Sequence, residues 1–135
     1  LKEGFVLDHI RAGKSMSIYH YLGLDKLDCQ VAIIKNARSN KMGRKDIIKI
    51  ECSIDVLDLD VLGYLDHNIT INIIKDEKIV EKKTLKLPKK ITNVIHCKNP
   101  RCITSIEQEL PHVFVLTDEK REIYRCMYCE EQYKK

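Results

Sequence analysis

The chain has 135 residues, of which 44% are hydrophobic and 33% charged, with a formal net charge of +4; it can hold one ordinary domain or two small ones and is too short for a large multi-domain enzyme. The positive excess lies ahead of residue 91, because the charges after it cancel, and so modest and localised an excess suits a small anionic ligand better than a long nucleic acid. No run approaches the roughly 18 apolar residues of a membrane span and no secretory leader pattern opens the chain, so a cytoplasmic protein without a membrane partner is expected.

The chain starts at Leu1, without a methionine and directly ahead of an apolar run, and is expected to lack a few preceding residues and part of its first strand. Phe5 to Ile10 is short and rich in β-formers, which predicts a strand. Ser15 to Leu22 carries Met16, Tyr19 and Leu22 at threefold spacing, with Ile18 four residues before Leu22 and Gly23 placed to stop a helix. Cys29 to Ile34 and Ile47 to Glu51 are the next predicted strands, separated by a polar loop from Asn36 to Gly43. A second helix is predicted over Leu57 to Leu65, with Leu57, Val61 and Leu65 on one face, although Leu57, Leu59 and Val61 also alternate as a strand would. Ile69 to Ile74 and Lys78 to Leu87 flank a short polar turn and predict a hairpin. The order strand, helix, strand, strand, helix, strand, strand is that of a ferredoxin-like α+β domain, an antiparallel sheet with two helices and one added strand. Pro88, Lys89 and Lys90 interrupt the periodicity, which puts the expected boundary between domains 1–90 and 91–135.

The six cysteines differ in spacing. Cys29 and Cys52 stand singly in apolar stretches and are expected as reduced, mostly buried thiols. Cys97, Cys102, Cys126 and Cys129 form C-x4-C and C-x2-C pairs, which read as metal ligation before disulfides. The tail after residue 90 cannot bury a sufficient core, and two cysteine knuckles closing on one tetrahedral site supply the remedy. Zinc fits four soft thiolates best, and a complete thiolate shell leaves no open position for a substrate, so the expected ion is structural. The expected fold of this part is a small zinc-bound antiparallel β domain. His96 and His112 are expected as surface or packing residues, and redox chemistry at Cys126 and Cys129 is disfavoured by their place near the chain end.

The common phosphate-cradling and nucleophile-elbow motifs are absent, and nothing announces catalysis. Asp8 and His9 are adjacent in a strand and should point to opposite faces, which argues against an acid and base pair. Lys45 and Lys49 lie four apart in a predicted strand, on one side, and Lys82 belongs to another strand of the same domain. These lysines could meet a phosphate chain as point charges, with an ordinary solvated face as the alternative.

The runs VLDHI at 6–10, MGRKDIIKIE at 42–51 and Leu87-Pro88 through Asn93-Val94-Ile95 ahead of Cys97, with the two cysteine pairs and Glu130, resemble the regulatory chains of aspartate carbamoyltransferase over essentially the whole length. The resemblance implies a non-catalytic subunit of pyrimidine biosynthesis whose first domain binds CTP, ATP and UTP as allosteric effectors and forms a homodimer, and whose zinc domain attaches to the catalytic chain. It further implies that Asp8, His9, Lys45, Lys49 and Lys82 meet ribose and phosphates, that Asn72 and Ile74 line the base and sugar side, and that Val6 and Leu1 complete the pocket. Asn99 and Glu130 match the family pattern, and the resemblance implies that they contact the catalytic chain. Arg11 replaces a proline, Glu77 an aromatic residue and Arg101 an asparagine found in some relatives; these departures leave the implied fold intact and bear on the preference for CTP over ATP and on some details of the catalytic interface. A zinc-ribbon nucleic-acid binder is the competing reading, but the tail has no Lys and Arg cluster beside its aromatics; a small stand-alone enzyme lacks any nucleophile and base.

Overall fold

The computed structural model describes residues 2–133, so Leu1 lies outside the described residues. The chain divides between Lys86 and Leu87 into two compact units.

The first unit runs β1 (Glu3–Arg11), α1 (Ser15–Tyr21), β2 (Val31–Ser39), β3 (Gly43–Ile50), α2 (Leu59–Leu65), β4 (Thr70–Lys75) and β5 (Lys78–Thr84). The sheet order is β2-β3-β1-β4-β5, with every pairing antiparallel. Two split βαβ units interleave, and β5 adds an edge strand beside β4, which is the expected ferredoxin-like arrangement. Inward residues of the strands, Phe5, Leu7, Ile10, Ile48, Ile50 and Ile71, form one core with Ile18 and Leu24 from the first crossover and Leu57 and Leu62 from the second. Both crossovers therefore cover the same face of the sheet, and the other face is left to carry polar residues.

Several local expectations change. The polar segment 36–43 is not a loop throughout: Ala37, Arg38 and Ser39 pair with Lys45, Arg44 and Gly43, because a hairpin satisfies its backbone by pairing whatever its side chains. The Asp58 carboxylate accepts the Asp60 and Val61 N–H groups, an N-cap that settles 59–65 as helix. Its buried residues are Leu62, Gly63 and Tyr64; of the expected stripe, Leu57 is buried but lies ahead of the helix, and Val61 and Leu65 are only half-buried. On α1, Ile18 is buried and Met16 is exposed. Asp76 and Glu77 both have positive φ, as a two-residue turn between β4 and β5 requires. The expectation for Cys29 and Cys52 fails: they are half-buried and joined as a disulfide. Beyond the ladder that pairs Val31 with Ile50, the β2–β3 register brings the two positions face to face, although they are distant in sequence.

Gly4 has φ +155°, and a Cβ there would collide with the carbonyl oxygen of Ile50. Gly4→Ala is therefore expected to destabilise the first unit by about 3 kcal/mol, through combined backbone strain and displacement of β3. Urea unfolding would read this as a lower midpoint at unchanged slope; an unchanged midpoint would mean that the two strands separate freely at that position.

The second unit contains β6 (Lys90–Thr92), α3 (Ile103–Ile106), β7 (Val113–Asp118) and β8 (Ile123–Cys126), with the strands ordered β6-β7-β8. Its small core gathers Ile91, Ile95, Val113, Phe114 and Tyr124. The Tyr124 hydroxyl donates to the Pro88 carbonyl at 2.5 Å, tying the entry of the unit to its last strand.

Candidate functional site

Two constellations stand out, one in each unit. In the second, Cys97 and Cys102 bracket one tight segment and Cys126 and Cys129 another. Backbone bonds shape both: the Cys102 N–H donates to the Asn99 carbonyl at 3.0 Å and the Glu130 N–H to the Cys126 carbonyl at 2.9 Å. Glu130 has φ 64°, a turn conformation that re-aims the chain after the second pair. The four sulfurs lie within 4.8 Å of one another, with Cys97 Sγ 3.6 Å from Cys129 Sγ and Cys102 Sγ 3.7 Å from Cys126 Sγ. Four thiolates at about 2.3 Å from a tetrahedral ion stand roughly 3.8 Å apart, so the sulfurs fit a closed metal centre.

Electrostatics point the same way. Burial, reinforced by the neighbouring sulfurs, pushes the Cys97 thiol up to about 12, and burial pushes Cys126 up as well. At Cys102 burial is outweighed by hydrogen bonds from Thr104, and the thiol comes down to about 7. Four sulfurs this close ionise together only beside a cation. His112 is a supporting residue: its Nδ1 accepts the Cys97 N–H at 3.1 Å, its ring meets His96 edge-on, and burial lowers its pKa, which keeps it a neutral acceptor. Asn99 closes the first knuckle, its side-chain oxygen accepting the Arg101 N–H at 3.0 Å. Glu130 follows the second knuckle with an exposed side chain.

The other constellation is on the open face of the five-stranded sheet. Lys49 pairs with Val6, Val6 with Asn72 and Asn72 with Lys82, so these four residues form one row across β3, β1, β4 and β5. Directly paired residues project to the same side. Lys49 and Lys82 are exposed at the two ends of the row, and Val6 is buried between them. Ile74 stands in the next row, opposite Gly4.

Toward the other end of β1 the ladder is irregular. Leu7 pairs with Ile48 and Ile10 with Asp46, so Asp8 and His9 together oppose Ile47, and His9 has φ 62°. This β-bulge corrects the expectation that Asp8 and His9 face apart. The extra residue resets the alternation, so that Leu7 and Ile10 both point into the core while Asp8 and His9 both stay outside it. The His9 N–H donates to Asp8 Oδ1 at 2.6 Å. Lys45 Nζ lies 2.9 Å from Asp8 Oδ1. Burial opposes ionisation of Asp8, but the bonds from Lys45 and His9 outweigh it and hold its pKa below the usual value. Thr70, cross-strand neighbour of Asp8, places its hydroxyl 2.9 Å from His9 Nδ1. Neither Thr70 nor the bulge is signalled by sequence, since both depend on register.

Beneath this face lies a residue that neither periodicity nor motif spacing singles out. Asp46 is fully buried, yet it accepts the N–H groups of Gly13 at 3.0 Å, Ser15 at 3.2 Å and Asn36 at 2.8 Å. Helix α1 has no side-chain cap from its own N-cap residue, Lys14, and Asp46 supplies an acceptor from β3 instead. Lys35 and Asn36 form a second bulge, opposite Asp46.

The model of the aspartate carbamoyltransferase regulatory chain allosteric domain matches residues 1–86, and that of the metal binding domain of the same chain matches residues 89–135. The chain belongs to the aspartate carbamoyltransferase regulatory chain family. The regulatory chain of Clostridium tetani is 54% identical over 134 residues, covering 99% of this chain and 93% of that relative. That of Clostridium botulinum strain Hall is 56% identical over 133 residues, covering 98% and 90%, and that of Bifidobacterium longum is 43% identical over 134 residues, covering 99% and 96%. As a regulatory chain it is a non-catalytic subunit, its first unit corresponding to the allosteric domain and its four-cysteine unit to the metal-binding one.

Proposed function

We propose that this regulatory chain senses the nucleoside triphosphates CTP, ATP and UTP on the open sheet face and transmits their binding to an aspartate carbamoyltransferase catalytic chain in pyrimidine biosynthesis. The observation that carries the reading is the cross-strand row of Lys49, Val6, Asn72 and Lys82 beside the Asp8, His9 and Thr70 cluster. Exposed lysines supply point charges for a phosphate chain. Asn72 offers both donors and an acceptor to a base or sugar edge, and Val6 and Ile74 offer apolar surface. Because Lys45 is engaged by Asp8, its contribution is to hold that carboxylate in place as much as to meet phosphate.

In this reading zinc occupies the four-cysteine centre. There it supplies only structure, since the four thiolates complete its shell. Ile103, Ile106, Met127 and Tyr128, exposed beside the two knuckles, together with Asn99 and Glu130, suit contact with a protein partner, the catalytic chain. The β2 edge, with Ile34 exposed on it, suits pairing with a second copy of this chain.

The test is Lys49→Ala. Loss of one charge-assisted contact should weaken CTP and ATP binding by about 10-fold or more and flatten their effect on aspartate saturation of the assembled enzyme, while metal content and assembly stay unchanged. An effector acts only through its differential affinity for two states of the assembly, typically about 1–3 kcal/mol. Unaltered affinity and response would remove Lys49 from the site, and an assembly indifferent to every nucleotide would sink the proposal.

A further inference from the structure

Cys29 and Cys52 lie just past the end of the β2–β3 ladder. Val31 pairs with Ile50, and the Glu51 N–H donates to the Gln30 carbonyl at 2.9 Å, so the next pair of residues is brought into opposition with Cα atoms 6.0 Å apart. That separation is within the roughly 4.4–6.8 Å that a disulfide spans. Both residues are half-buried, and Cys52 lines a surface cavity with Glu51, Ser53 and Asp55, so a small thiol can approach. The same chain carries four cysteines that are not paired as disulfides and whose sulfurs lie within 4.8 Å of one another, as a thiolate metal centre needs, and such a centre assembles where thiols are kept reduced. A bond within reach of small thiols in such surroundings is open to thiol–disulfide exchange.

We infer that Cys29 and Cys52 are a reversible thiol–disulfide exchange site whose co-reactants are low-molecular-weight disulfides and thiols, and whose closed form clamps the end of the hairpin that carries Lys45 and Lys49. In closure, the thiolate of one cysteine attacks a sulfur of the small disulfide, releasing one small thiol and leaving a mixed disulfide. The other cysteine, as thiolate, then attacks the protein sulfur of that mixed disulfide and expels the second small thiol. The two protein thiols give up two electrons and two protons, and the small disulfide takes both as it becomes two thiols. Excess small thiol drives the same steps backwards. The bond joins positions separated by 23 in sequence, so closure restricts the unfolded chain and should raise the melting temperature of the first unit by roughly 10 °C.

The test uses the full metal-loaded chain equilibrated with oxidised glutathione, alkylated with iodoacetamide and mapped by peptide mass, with melting followed in parallel. Cys29 and Cys52 should appear as one cross-linked pair with metal content unchanged, the melting temperature should rise by roughly 10 °C, and excess reduced glutathione should reverse both changes. In the Cys29→Ser, Cys52→Ser double variant, melting should be the same with oxidised and with reduced glutathione. The inference is overturned if both cysteines of the parent are fully alkylated after oxidation, if glutathione stays attached to either, if excess reduced glutathione fails to open the link in the folded chain, or if the closed and open forms melt together.

Discussion

Cys97→Ser is expected to strip the metal from the second unit and unfold it, while the first unit keeps its structure. A closed thiolate centre couples binding to folding, and for structural zinc the coupling amounts to about 10–16 kcal/mol at neutral pH. Nothing else in this unit approaches that figure: its core is a handful of side chains around Phe114 and Tyr124, and units this small rarely hold on apolar burial alone. A serine hydroxyl does not replace a thiolate toward a soft ion, and the three remaining sulfurs would be left crowded without it. Metal content per chain, measured by atomic emission, should fall from one ion to none. Amide protection in β7 and β8 should vanish, and the variant should no longer sediment with the catalytic chain. A metal-free variant that retains protected β7 amides and still assembles would show that the four cysteines do not build this unit.

Asp46→Ala is expected to destabilise the first unit by about 3–5 kcal/mol, because it empties a fully buried position and removes the charged acceptor of the Gly13, Ser15 and Asn36 N–H groups, each such bond contributing about 1.5 kcal/mol. Asp46→Asn keeps the shape and part of the accepting capacity and should cost less. The pH dependence has a definite sign. Burial alone would raise the Asp46 pKa, but hydrogen bonds from Asn36, Ser15 and Gly13 outweigh it and hold the folded value below 3.8. The stabilisation is therefore complete above pH 3.8 and is lost as the pH falls through the lower folded value. Urea unfolding of parent and Asp46→Asn should accordingly differ most near neutrality and converge in acid. A gap that widens on acidification would mean that Asp46 is not ionised in the folded chain.

The residues contributed by sequence and those contributed by structure separate along a physical line. The alternation of apolar and polar positions, the two helical stretches and the break near Pro88 carry the ferredoxin-like order, because local periodicity is set by which face each element must bury. Close cysteine spacing carries the metal centre for a similar reason: a C-x4-C or C-x2-C pair supplies two ligands from one turn, and the structure has only to bring the two turns together.

Register is different, because it belongs to pairs of strands. A sequence can nominate Lys49, Val6, Asn72 and Lys82, but the ladders across β3, β1, β4 and β5 alone place them in one row. The bulge at Asp8 and His9 shows the point most directly. Strict alternation sends the two side chains apart, and only the pairing of Leu7 with Ile48 and of Ile10 with Asp46 reveals that an extra residue keeps both on the open side. Asp46 and the cysteine pair follow the same logic. The carboxylate reads as one more charge in a basic strand until the turn before α1 and the bulge of β2 fold over it, and Cys29 and Cys52 read as unrelated thiols until β2 and β3 align. Composition, periodicity and ligand spacing were thus determined by the sequence itself, being properties of neighbouring residues; which distant residues share a face, a carboxylate or a bond was decided by tertiary pairing, where a shift of one position moves every side chain to the other side of the sheet.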